Sequence, residues 1–406
     1  MSTLGPVVGY GPRIVDLPSP GLPAACRSRV WERSRLEWHA RDGGDPLQLL
    51  TAFAESHGVP VGDLASSRKV IDASTCGIAV LLSPPSVTPS PAAAVPDLVA
   101  VAYAHGDRTP SALASFPAAV GDFPAIAAAT RPGTVGNWTP SWSPAGHAAA
   151  VQEVRAAIAR GDVYVVNLVG HASAPFGGDP APALARVAAL PGARYGGVLR
   201  GERWSLASAS PETLVEVSGG RAVTRPIKGT RPATAEGRAE LLASAKERAE
   251  HVMIVDLERN DLGRVAQVGS VRVDELFAIR RWSGLWQAES TVSARLAPGV
   301  GLAELLAAVW PGGSVTGAPK LAAIDVATRL EPVGRGPSMG ACGWIGHDRD
   351  GRVSVDLGLT IRTVAVADGR VHLWAGGGIV WDSDPAAEVA EAAAKSAPIK
   401  AALRAA

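Results

Sequence analysis

The stretch Ala341–Ala375, ACGWIGHDRDGRVSVDLGLTIRTVAVADGRVHLWA, decides the fold class. It contains three runs, Ala341–Ile345, Val353–Val364 and Arg370–Ala375, rich in apolar and β-branched residues. Asp350-Gly351 and Asp368-Gly369 separate them, and Asp-Gly favours tight turns between strands. The stretch therefore reads as consecutive strands of a meander. Upstream, Arg203–Ala209, Thr213–Val217 and, after the Gly219-Gly220 turn, Arg221–Thr224 continue the pattern. Val163–Leu168 is a β-branched strand. Helices fall between these strands. His147–Arg160 ends at the C-cap candidate Gly161, and Ala235–Val255 alternates charge with apolar residues at helical spacing. Leu302–Val309, Lys320–Leu330 and Pro385–Ala405 complete the set. Strand meanders with intervening helices favour an α+β fold over a doubly wound one.

Towards the N-terminus the pattern weakens. Ser83–Pro96 and Arg131–Gly146 read as Pro-, Ser- and Gly-rich loops, with weaker strand-like or helical character at Leu98–Tyr103 and Ala112–Thr130. The texture changes near Ala145, which suggests a soft boundary between residues 1–145 and 146–406. The 406 residues, 47% of them apolar, suffice for a sizeable core in one large domain or two fused layers. Thirty-nine basic against 38 acidic residues give no global footprint for nucleic acid or an anionic membrane. No apolar run is long enough to span a bilayer, and no signal peptide is visible. Cys26, Cys76 and Cys342 lack metal-ligand spacing and read as thiols in a reducing compartment. A soluble cytoplasmic protein is expected.

Five segments carry chemistry. In Pro226–Pro232, PIKGTRP, Lys228 ends a strand between apolar residues, Pro and Gly. Burial there would free the neutral amine as a nucleophile or base; a lysine pointing to water is the plain alternative. Glu212 follows Ser210-Pro211 and is a candidate general acid if burial keeps it protonated, or else a surface turn residue. Glu247 and Glu250 lie i, i+3 on one helix, as do Glu388 and Glu391 on another, with Lys395 one turn on. For one such pair solvent or a nearby arginine is the common answer; two pairs on helices that meet could together hold Mg²⁺, a hard cation that takes carboxylate oxygens. Pro311–Lys320, PGGSVTGAPK, and Gly376-Gly377-Gly378 allow close backbone approach and offer amides to an anion. Neither is a Walker A loop or a dinucleotide fingerprint.

Taken jointly, these segments resemble the chorismate-binding family, which includes anthranilate, aminodeoxychorismate, isochorismate and salicylate synthases. The matching stretches are PIKGTRP (226–232), ERAEHVMIVDLERNDLGRV (247–265), PGGSVTGAPK (311–320), GWIG with LGLTIRT (343–363), and AGGGIVWDSDP with Glu388, Glu391 and Lys395 (375–395). They stand in the family's order over about the last 260 residues. The resemblance implies two stacked, largely antiparallel sheets flanked by helices. It also implies amination of chorismate at C4, because lysine at the variable position of PI-x-GT is the aminodeoxychorismate synthase pattern and anthranilate synthases typically carry alanine. By resemblance, the Lys228 amine attacks C2 as the C4 hydroxyl leaves, and ammonia then adds at C4. Glu212 becomes the general acid/base. Glu247, Glu250, Glu388 and Glu391 become Mg²⁺ ligands, direct or through water. Thr230, Arg362, Lys395 and the backbone of Thr316, Gly317, Ala318, Gly376, Gly377 and Gly378 become substrate contacts.

Two positions depart from the family pattern. Val165 stands where aminating members usually have glutamine and isochorismate and salicylate synthases have lysine, so no base activates water there. Gln287 replaces the histidine of HLVSTV, which relatives that eliminate pyruvate carry. No glutaminase segment or tryptophan-feedback LLES-type motif is evident. The resemblance therefore implies ammonia from a separate glutamine amidotransferase subunit or from solution. Anthranilate synthase, 2-amino-2-deoxyisochorismate synthase and a decayed binding subunit remain the alternatives.

Overall fold

Thr75–Leu82 is buried along its whole length, which places it inside a sheet. The computed structural model describes residues 30–66, 75–105, 133–348 and 350–404. The chain opens with β1 (Val30–Trp38), α1 (Pro46–Ser56), β2 (Thr75–Leu82) and β3 (Leu98–His105). The short β4 (Thr134–Val135) and β5 (Thr139–Pro140) precede α2 (Pro144–Ala159), β6 (Val165–Gly177) and α3 (Ala181–Ala188). Then come β7 (Tyr195–Arg200), β8 (Trp204–Ser210), β9 (Thr213–Ser218), β10 (Arg221–Arg225) and β11 (Ile227–Pro232). Two helices, α4 (Ala235–Ala243) and α5 (Ala245–Gly263), lead to the hairpin β12 (Arg272–Trp282) and β13 (Leu285–Arg295). After α6 (Leu302–Val309), β14 (Gly317–Ala318) and α7 (Lys320–Leu330) follow β15 (Ala341–His347), β16 (Val353–Leu359), β17 (Thr363–Ala367), β18 (Arg370–Ile379) and α8 (Pro385–Arg404).

The strands form two sheets, antiparallel throughout the described residues. One runs β1-β3-β2-β15-β16-β9-β10-β13-β11, with β12 also on β13. The other runs β14-β6-β18-β17-β8-β7, with β4 and β5 on β6. The main core lies where they stack: Leu214, Val215, Ile345 and Leu357 of the first sheet share one buried cluster with Val169, Leu206, Ala365 and Trp374 of the second. Helix α5 packs on β11 and β13, and α8 packs on β18. The α+β class and the stacked antiparallel sheets expected from sequence are what the chain adopts.

Three elements differ from their expected form. The run Val353–Val364 is two strands in two sheets: β16 pairs with β9 and β15, whereas β17 pairs with β8 and β18. The chain crosses between the sheets at Ile361-Arg362, and Arg362 takes φ 52°, a left-handed conformation that strains a non-glycine residue. The helix expected over Ala235–Val255 breaks at Ser244, whose ψ of 104° leaves the helical region and whose hydroxyl caps α5 by accepting from Glu247 N. The strand expected at Val163 starts at Val165 and runs on to Gly177. The expectation for Ala112–Thr130 lies outside the described residues. No helix among the described residues is long and apolar enough to cross a membrane.

Candidate active site

The cavity sits between the sheets, with α5 and α8 at its edge. Strand β11 brings Lys228 into it by way of a bulge. Lys228 pairs with Ala288 and Thr230 with the next residue, Gln287, so Gly229 is unpaired. Gly229 has φ 68°, the left-handed geometry such a bulge requires. Lys228, Gly229 and Thr230 all line the cavity.

Lys228 is buried but not in apolar surroundings, as its sequence neighbours had suggested. Its Nζ donates to the Ser314 carbonyl at 3.1 Å and lies 3.8 Å from Glu250 Oε1. Glu212, also buried, accepts from the Ser314 hydroxyl at 2.5 Å and from Ile227 N at 3.3 Å. Burial pushes the Glu212 carboxyl above its ordinary value, against the Ser314 hydrogen bond and the charges of Lys228 and Arg362. A carboxyl raised in this way holds its proton more readily than an exposed one. Ser314 thus touches both Lys228 and Glu212, yet sequence reasoning passed over it within the PGGSVTGAPK motif.

Glu247, Glu250, Glu388 and Glu391 line the same cavity, brought from two helices distant in sequence. Glu247 accepts from Arg231 Nη1 at 3.2 Å, and Glu391 pairs with Lys395 Nζ at 2.6 Å. Burial raises Glu250 to about 7; Lys228 opposes this, and the charges of Glu247, Glu388 and Glu391 add to it. Burial acts likewise on Glu391, but Lys395, Arg362 and Lys228 hold it below the ordinary value. Among the described residues, no three acidic, histidine or cysteine side chains already converge as a ligand set. What the arrangement offers is hard oxygen donors with mutual repulsion that a divalent cation would relieve.

Arg362 lines the same cavity. It is 7% exposed, and its Nε has no hydrogen-bond partner among the described residues. Burial lowers it to about 10, although Glu391 and Glu212 favour the charge. The guanidinium lies 5.0 Å from the Trp282 ring centroid. A buried cation lining a cavity suits a carboxylate. Lys395 Nζ also donates to Gly376 O at 2.9 Å. Gly376, Gly377 and Gly378 line the wall, but Thr316, Gly317 and Ala318 do not. Gly317 and Ala318 are spent on pairing with Val166 and Val165, and the Thr316 hydroxyl on Gly312 O. Ser314 and Val315 stand at the wall instead, along with Asn167, Met339 and Trp374, which no local sequence signal marks.

Residues 101–401 match the family described as chorismate binding enzyme. The chain belongs to that family. Anthranilate synthase component 1 of Streptomyces coelicolor is 39% identical over 295 residues, 71% of this chain and 57% of that protein. Aminodeoxychorismate synthase component 1 of Bacillus subtilis is 37% identical over 279 residues, 67% of this chain and 58% of that protein. The chain spans little more than half the length of these curated relatives. The crystal structure of anthranilate synthase component I from Streptococcus pneumoniae superposes with a TM-score of 0.66 at 23% identity, covering 98% of this chain and 95% of that one. The menaquinone-specific isochorismate synthase of Escherichia coli gives 0.66 at 16% identity, over 92% and 85%. These two share the fold.

In this member of the chorismate binding enzyme family, the two departures occupy different surroundings. Val165 is buried with Ile254 and Val380, with Met253 and Ala318 packed beside them. A Cβ at Gly378 would lie 3.5 Å from its Cγ2, so an apolar surface stands next to the Lys228 end of the cavity. Gln287 is buried and faces the cavity itself, where its amide can hydrogen-bond but cannot shuttle protons near neutral pH.

Proposed function

We propose that this protein is a component I enzyme that aminates chorismate at C4, giving 4-amino-4-deoxychorismate. The observation that carries the reading is the position of the Lys228 amine, buried in a cavity it shares with Glu212, Arg362 and four glutamates. The Lys228 amine attacks C2 of the ring, and the double bonds shift as the C4 hydroxyl departs. Glu212 protonates that hydroxyl, so that it leaves as water. Ammonia then adds at C4, the electrons return, and the C2–nitrogen bond to Lys228 breaks. The sum is chorismate plus ammonia giving aminodeoxychorismate plus water. Arg362 binds a substrate carboxylate, and Lys395, tied to Gly376 O and Glu391, steadies the wall those residues form. Glu247, Glu250, Glu388 and Glu391 would hold Mg²⁺, which when bound neutralises the ring carboxylate. The relatives' designation as component 1 supports a partner component, and an ammonia-supplying glutamine amidotransferase fits that role.

A second reading, anthranilate synthesis, draws support from the Streptomyces relative, which is as similar as the aminodeoxychorismate synthases. Incubation with chorismate, Mg²⁺ and ammonium separates the two. The expected product yields 4-aminobenzoate once the corresponding lyase is added, whereas direct release of anthranilate would overturn the proposal. Lys228→Ala should give no product, and mass spectrometry of wild type quenched during turnover should find substrate attached at Lys228. A variant as active as wild type would rule out covalent catalysis by this amine.

A further inference from the structure

Behind the cavity wall, Arg335 occupies a half-buried crossing point. Its Nη1 donates to Val315 O and its Nη2 to Asn167 O, both at 2.7 Å. Glu331 takes the other side of the guanidinium, with Nε to Oε2 at 2.9 Å and Nη2 to Oε1 at 2.6 Å. Glu331 Oε1 also accepts from Val169 N at 3.0 Å. The pair therefore ties the segment around Val315 to β6 at Asn167 and Val169. Val315 and Asn167 line the cavity, whereas Arg335 and Glu331 line a separate hollow with Pro84, Pro311 and Thr328.

The residue before Val315 is Ser314, whose carbonyl receives Lys228 and whose hydroxyl is bonded to Glu212. We infer that Arg335 is a positioning residue: by gripping the next carbonyl along, it fixes the one residue that sets both the amine and the acid. The inference rests on reading this cavity as the chorismate site. A lysine in its place keeps the charge beside Glu331 but cannot span two carbonyls and a carboxylate with a planar fork. Misplacing Ser314 by a fraction of an ångström disturbs two reacting groups at once, whereas substrate anchors such as Arg362 stay where they are.

The test compares wild type with Arg335→Lys by steady-state kinetics and by amide hydrogen exchange. Exchange over residues 313–316 should rise about tenfold while α5 and α8 keep their protection. The kcat for chorismate should fall by about 10²-fold with KM within about threefold, because the reacting groups rather than the binding groups have moved. Ser314→Ala added to Arg335→Lys should cost much less than it does in wild type, because the Ser314 hydroxyl bond to Glu212 that it removes is already disturbed. Unchanged exchange, unchanged kcat or additive losses would each overturn the inference. If Arg335→Lys does not fold, Glu331→Gln, which keeps an acceptor for Val169 N, should show the same pattern more weakly. If wild type leaves chorismate untouched, the substrate reading fails, and the exchange measurement alone decides the clamp.

Discussion

A Cβ placed on Gly378 would lie 2.7 Å from Glu250 Oε1 and 3.0 Å from Lys228 Nζ. The first is too close for any Cβ and the second is tight, but both atoms end flexible side chains, so the backbone need not move. Gly378→Ala should therefore fold with nearly the stability of wild type while pushing the amine and the carboxylate apart. The expected loss is about 10²-fold in product formation, read beside a melting curve shifted by no more than about 2 °C. Gly376 gives the contrast. There a Cβ would meet Leu168 O at 1.9 Å, a backbone atom on the neighbouring strand that cannot yield without opening the β6–β18 pairing. Gly376→Ala should lose stability first, lowering the midpoint by several degrees, with activity falling only as the folded fraction falls. If Gly378→Ala turned over normally, the close quarters around Lys228 would not matter to the chemistry. Three adjacent glycines look alike in sequence; what each one must avoid is set by a partner strand or a side chain far along the chain.

Helix α5 carries more than the two glutamates at its start. Two turns beyond Glu250, Glu258 is buried, accepts from the Thr224 hydroxyl at 3.3 Å, and lies near Asp261, which Lys320 neutralises at 2.7 Å. Burial, then the charge of Asp261, raises Glu258 from 4.5 to about 8, against the pull of Lys320 and Thr224. Between those two values the native state keeps a proton that the unfolded chain has released. Stability therefore falls as the pH rises from about 4.5 through 8. Glu258→Gln cannot ionise and keeps an acceptor for Thr224. It should match wild type near pH 5 and exceed it by on the order of 3 kcal/mol above pH 9, measured by denaturant unfolding across that range. Equal slopes for the two proteins would contradict this. The same helix illustrates what sequence discloses about elements. Its periodicity is plain, but the break at Ser244 rests on a cap, and a lone serine, which favours an N-cap yet is tolerated inside a helix, does not interrupt the periodic pattern. Val353–Val364 carried an uninterrupted strand composition, and nothing local marked the crossing at Ile361-Arg362. The β12–β13 hairpin went unread because β12 is largely exposed and charged, so it lacks the alternation that marks a half-buried strand. Its turn, Ser283-Gly284 with φ 44° and 87°, was the better signal. The residues grouped in long motifs were legible as a set. Asn167, Met339 and Trp374 were not, because they reach the cavity only through the stacking of two sheets.

At the scale of the whole molecule, no continuous half of the chain holds the cavity. Lys228 comes from one sheet, Gly376–Gly378 from the other, Arg362 from the crossing between them, and the glutamates from α5 and α8, more than a hundred residues apart. A cation shared by the two helices would therefore act as a staple on the whole fold, and unfolding would have to release it. Mg²⁺ at a hundred times its Kd should stabilise by about 2.7 kcal/mol, a rise of roughly 2–5 °C in the midpoint for a chain of this size. With Glu250 raised to about 7 by burial and by its acidic neighbours, a proton competes for that carboxylate near neutrality. The rise should accordingly be larger at pH 8 than at pH 6, and calorimetric titration at the lower pH should show proton release on binding. Replacing Glu250 and Glu388 together by glutamine removes one ligand from each helix and should abolish the rise, while relief of repulsion leaves the metal-free midpoint at or above that of wild type. Chelation by EDTA should return wild type to its metal-free midpoint and leave the double variant unaffected. An equal Mg²⁺ response in both proteins would mean that the ion sits elsewhere, and Glu247, Glu250 and Glu391 would then be held by their pairing with Arg231, Lys228 and Lys395.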